Sequence, residues 1–88
     1  MTIQANSPDV AKKLGLTTTE GVIITQVESG SPADLAGLQP GEVIVAVNNQ
    51  AIHTLTDWNQ AVSQLKSGSL LALRVMRAGV KRLVIVSP

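Results

Sequence analysis

The sequence predicts a small, mostly β domain: a partly open five-stranded barrel or sandwich capped by two or three helices. Three observations lead there. Short apolar runs rich in β-branched residues recur along the chain, each too brief to favour a buried helix. Between them stand helix starts in which Ser or Thr is followed by Pro or Asp. The third observation is size and filling. A domain of this order buries roughly 60–70% of its unfolded surface, which allows one core and not two. With 88 residues, 44% of them hydrophobic and Trp58 the sole aromatic, that core must be built from Val, Ile, Leu and Ala. Residues 1–88 are therefore read as a single domain.

The opening "MTIQA" reads as a strand, with Thr2 and Gln4 on one face and Met1, Ile3 and Ala5 on the other. "NSPDVAKKLG" follows as a helix: Ser7 caps it, Pro8 suits its first position, Asp9 complements its dipole and Gly15 stops it. "GVIITQV" (residues 21–27) is the second strand. "GSPADLAGL" repeats the helix grammar with Ser31, Pro32, Asp34 and Gly37, and "QPGE" turns the chain into a third strand, "EVIVAVN" (residues 42–48). "NNQA" is a further turn. In "HTLTDWNQAVSQLKSG", Thr54 and Asp57 form a capping-box variant and Gly68 lies past the helix end. "LLALRVM" (residues 70–76) and "RLVIVS" (residues 82–87) flank "RAGVK", a hairpin turn in which Gly79 supplies positive φ, so these two strands should pair antiparallel.

Composition narrows the function. A net charge of +1, with basic residues in five separate places and a single aromatic, offers neither an electrostatic footprint nor a stacking platform for nucleic acid. No apolar run approaches the ~20 residues of a spanning helix, so membrane insertion is not expected. Without cysteine there is no disulfide or thiolate chemistry, and the compartment is left open. Features of a signal peptide are missing, so an export signal is expected in a longer parent of which this chain is a piece.

Catalysis by the chain itself is not expected, and neither is a cofactor. A triad needs a nucleophile, a base and an orienting acid in contact, whereas the only histidine, His53, stands at a turn before a helix cap, and no G-x-S-x-G elbow is present. The six carboxylates are scattered singly, mostly at helix starts, which points to no metal site. "SPADLAGLQPGE" is rich in Gly and Pro but matches no phosphate-binding loop; cap, stop and turn explain its residues. The third helix says more. Trp58, Ala61 and Leu65 share a face that serves as a core anchor, while Leu55, Asn59 and Val62 share a neighbouring, mostly apolar flank suited to one wall of a groove.

The order "EGVIITQVESGSPADLAGLQPGEVIVAVNNQAI", a helix with "DW" near its start, then "LLALRVMRAGVKRLVIV", resembles PDZ domains over essentially the whole chain. With the preceding "NSPDVAKKLGL" helix it resembles the bacterial, circularly permuted type found after the protease domain in Do-like (HtrA/Deg) serine endoproteases, the second of their two PDZ domains more than the first. The resemblance implies a periplasmic module that recognises peptide C-termini or unfolded apolar segments by strand addition, the carboxylate being caught by backbone N–H groups. Its partners would be such peptides, the parent's protease domain and other subunits of the parent oligomer, with proteolysis residing elsewhere in the parent. It further implies that Met1, Thr2, Ile3 and Gln4 offer the receiving backbone and that the first, fifth and eighth helical positions fall on Leu55, Asn59 and Val62. Met1, Ile3 and Val62 would form the pocket for the terminal side chain, and Leu55 with Asn59 would meet the residue two before it, with apolar preference. Met1 matches only the last apolar position of the family's carboxylate-binding loop. The alternative reading is a structural module for oligomer assembly with an unused or internally filled groove.

Overall fold

The computed structural model describes residues 2–16, 18–65, 69–77 and 79–87. Its elements in order are β1 (Thr2–Ala5), α1 (Pro8–Leu14), β2 (Val22–Gln26), α2 (Pro32–Leu35), β3 (Val43–Val47), β4 (Gln50–Ala51), α3 (Leu55–Ser63), β5 (Leu71–Arg77) and β6 (Val80–Val86). The strands form one open antiparallel sheet in the order β1-β2-β3-β5-β6, with β4 pairing onto β3. The five expected strands are all present. The sixth, β4, is the two-residue continuation of the "NNQA" turn, where Asn48 (φ 48°) and Asn49 (φ 68°) both take the left-handed conformation of a tight hairpin and bring Val47 opposite Gln50.

The helix starts do what their residues dictate. Ser7 Oγ accepts from Val10 N at 3.2 Å, and Ser31 Oγ accepts from Asp34 N at 3.3 Å. In α3, Thr54 Oγ1 accepts from Asp57 N at 3.1 Å while the Asp57 carboxylate accepts from Thr54 N at 3.3 Å, a reciprocal capping box. α3 is capped at its end by Gln64, before the position expected from Gly68, which lies outside the described residues. The last strand starts at Val80, two residues earlier than its apolar run, because the hairpin holds Arg77 opposite Val80 and the exposed Lys81 and Arg82 continue the ladder opposite Met76 and Val75.

One face of the sheet carries the main core. Val22, Ile24, Ile44, Val47, Leu73, Val75, Val84 and Val86 from the strands meet Ala33, Leu38, Ile52 and Ala61, and half-buried Ile3, Leu55 and Trp58 pack against this cluster. Ile23 and Val43, cross-strand partners pointing the other way, are also buried, so the central strands are covered on both sides. Trp58 thus borders the core; the fully buried member of its helical face is Ala61, because α3 lies close enough for only a small side chain at its centre.

Glu42 is the exception in this interior: a carboxylate only 1% exposed. One of its oxygens accepts from Gln39 N at 2.7 Å and the other from Arg82 at 2.7 Å, and Arg82 also donates to Gly37 O at 3.2 Å. The group ties the turn before β3 to β6. Removing it leaves those donors without an acceptor, so Glu42→Ala is expected to cost about 1–3 kcal/mol, read as a lowered urea midpoint; an unchanged midpoint would show that water replaces the carboxylate there.

Candidate functional site

β1 is a free edge of the sheet, and its register decides which backbone groups it presents. Asn6 N donates to Gly21 O at 3.2 Å, and Thr2 O accepts from Thr25 Oγ1 at 3.2 Å. Both even-numbered residues therefore address β2. Strand alternation turns the amide and carbonyl of Ile3 and Ala5 outward, to the open edge. A bulge at Thr25, between the pairs Thr2–Gln26 and Ile3–Ile24, bends the edge at this point.

The other wall is α3, fixed beside the end of β1 by a clasp around Gly21. Gly21 N donates to His53 O at 3.0 Å just before the α3 cap, while Gly21 O takes the amide of Asn6 just after β1. The Asn6 side chain reinforces the clasp, donating to Thr18 O at 2.9 Å and Glu20 O at 3.0 Å. His53, exposed, pairs through Nδ1 with the Glu20 carboxylate. The clasp makes the start of α3 neighbour to the end of β1.

The residues singled out from sequence are distributed as follows. Ile3 and Leu55 are half-buried and close on the same core cluster, one from the strand and one from the helix. Val62, 38% exposed, and Asn59, exposed, extend the same helical flank. Thr2 and Gln4 are exposed, with side chains on the opposite face from Ile3 and backbones that hold β1 in the sheet. Met1 lies outside the described residues. Ala5 completes the outward-facing set; only the register, which needs the Asn6–Gly21 bond, brings it out. Every one of these side chains is uncharged, so the site can recognise through hydrogen bonds and apolar burial.

Among the described residues, concavities away from β1 and α3 include one of about 300 Å³ lined by Glu42, Arg77, Val80 and Arg82 and one of about 320 Å³ lined by Pro32, Leu35, Ala36, Ile85 and Ser87. Among the described residues no three metal-ligating side chains converge, and no helix is long and apolar enough to cross a membrane.

The sequence profile of the PDZ domain family matches residues 3–87. The chain is a PDZ domain. Its similarity extends to the PDZ regions of HtrA/Deg proteins: it is 38% identical over 85 residues to the "Probable periplasmic serine endoprotease DegP-like" of Chlamydia trachomatis serovar D, covering 96% of this chain and 17% of that protein. A protein of the same description from Hahella chejuensis is 38% identical over 77 residues, covering 88% of the chain and 16% of the relative. This PDZ domain thus spans about one sixth of the curated relatives it matches. Among solved structures, the HtrA-type protease AlgW with decapeptide superposes with a TM-score of 0.85 at 28% identity, covering 97% of this chain and 26% of that one. The HtrA3 PDZ domain bound to a phage-derived ligand (FGRWV) gives a TM-score of 0.85 at 24% identity over 100% of this chain and 81% of that one, a likeness of fold.

Proposed function

We propose that this PDZ domain binds apolar peptide C-termini and unfolded apolar segments by adding them as a strand to β1, and that its parent is a Do-like serine endoprotease of periplasmic protein quality control. The observation that carries the reading is the edge itself: outward amides and carbonyls at Ile3 and Ala5, beside an apolar shelf made by Ile3, Leu55 and Val62. Relatives named as periplasmic endoproteases and neighbours solved with peptides support it.

In this reading the terminal side chain enters a pocket formed by Met1, Ile3 and Val62, and the residue two before it lies opposite Ile3, against Leu55 and Asn59. Leu55 makes that second position apolar in preference. A few backbone hydrogen bonds and one or two buried side chains, set against lost chain entropy, give affinity of about micromolar order, roughly 8 kcal/mol. Substrate recognition or regulation is the domain's task, and peptide cleavage belongs to the parent's protease domain.

Titration of the protein with an apolar C-terminal peptide and with its C-terminally amidated twin tests the reading. The free acid is expected to bind about tenfold or more tightly, a difference of about 1.4 kcal/mol. Equal binding of the two would remove carboxylate recognition from the account.

A further inference from the structure

An added peptide runs antiparallel to β1 and must leave the strand over the Gly21 clasp. With the ligand residue two before the terminus opposite Ile3, the residue four before it lies opposite Ala5, because partners on the open edge recur every second residue. The next two residues travel about 3.4 Å each beyond β1. There the Asn6 side chain holds Glu20 O at 3.0 Å and Gly21 N holds His53 O at 3.0 Å, so residues 20 and 53 flank the end of β1 and the start of α3, and their exposed side chains pair with each other. Glu20 and His53 are both well exposed, with side chains 61% and 62% accessible. Asp57 stands beside them with its carboxylate taken up by the amides of His53 and Thr54, at 3.0 and 3.3 Å.

This end contrasts with the rest of the groove, whose walls are uncharged. Glu20 and Asp57 bring two carboxylates to this end of the groove and His53 one imidazole, a formal charge of −2 with His53 neutral. Among the described residues no lysine or arginine pairs with either carboxylate. Asp57 is consumed by the helix cap, whereas among the described residues the Glu20 carboxylate meets the exposed imidazole, and it is the acceptor open to a ligand.

Resting on the strand-addition reading, we infer that Glu20 is a specificity-determining residue that favours ligands carrying lysine or arginine five or six residues before the C-terminus. The ligand class is then an apolar C-terminal tail preceded by a cationic residue. The apolar end supplies the affinity; the cation, meeting an exposed carboxylate, adds a factor of roughly two to five at low salt.

The test uses three ten-residue peptides ending in Ala-Leu-Val that carry lysine, glutamine or glutamate at the fifth and sixth positions before the terminus, titrated against the protein at low and high salt. Expected is the order lysine, glutamine, glutamate at low salt, with the span shrinking as salt is raised. Glu20→Gln, which keeps a hydrogen-bonding side chain for His53, should bring the three peptides together while leaving the affinity of the glutamine peptide unchanged, and Glu20→Lys should reverse the order. Equal binding of all three peptides by the unaltered protein overturns the role of Glu20, as does a lysine preference that survives in Glu20→Gln. Failure of even the glutamine peptide to bind overturns strand addition itself.

Discussion

Val62→Glu is expected to abolish measurable binding of apolar C-terminal peptides while the domain stays folded. Val62 lies on the outer flank of α3, 38% exposed, and is not a member of the core cluster. Surface replacements of this kind usually stay within about 0.5 kcal/mol. A negative charge in the last turn of a helix adds a further penalty of about 0.3–1 kcal/mol, so a melting point lowered by only several degrees is expected. Binding suffers much more. The carboxylate would stand in the pocket proposed for the terminal apolar side chain, close to the ligand's own terminal carboxylate, so burial and like-charge repulsion act together. Trp58→Ala should show the opposite balance. Complete burial of an aromatic would make its loss worth about 3–5 kcal/mol. Trp58 packs on the core half-buried, so roughly half that cost is expected, with peptide affinity largely retained. Exchanged phenotypes, in peptide titration and thermal melting, would mean that α3 turns another face to the groove.

Gly21→Ala is expected to be the most destabilising single change outside the apolar core. Gly21 has φ 89°, in the region L side chains avoid, and forcing alanine there costs about 1–3 kcal/mol. A Cβ would also stand 2.6 Å from Ile44 O and 3.0 Å from Val43 Cγ1. The first obstacle is backbone of the central strand β3 and has little room to yield, so overpacking adds about 1–3 kcal/mol. Gly21 also joins the two walls of the groove, one through His53 O and one through the Asn6 amide. The loss of stability should therefore come with loss of peptide binding even at temperatures where the domain is still folded. Circular dichroism melts paired with peptide titration check both; a melting point within a few degrees of the original would contradict the close approach of Gly21 to β3.

The elements were legible in the sequence because their signals are local. Ser7, Ser31 and Thr54 each cap a helix within three residues of themselves, and Gly79 turns a hairpin whose flanking runs pair directly. Helical periodicity alone placed Leu55, Asn59 and Val62 on one flank and apart from Ala61. What stayed hidden depends on partners distant in the chain. Glu42 reads as an ordinary polar residue at a strand start; its burial follows from Arg82, forty residues on. The role of Ala5, and the division of β1 into residues that face the sheet and residues that face the edge, follow from the Asn6–Gly21 bond. His53 reads as a solvated turn residue, and it is exposed, but its pairing with Glu20 spans thirty-three residues and no local pattern announces it.

The central claim is that a peptide adds to β1, and amide hydrogen exchange measured residue by residue with and without an apolar C-terminal peptide tests it most directly. The account predicts that the amides of Ile3 and Ala5, which face the open edge, gain protection on binding, while that of Gln4, already directed at β2, changes little. Protection gained instead along the other free edge, at β6, or no change at Ile3 and Ala5 under saturating peptide, would contradict it.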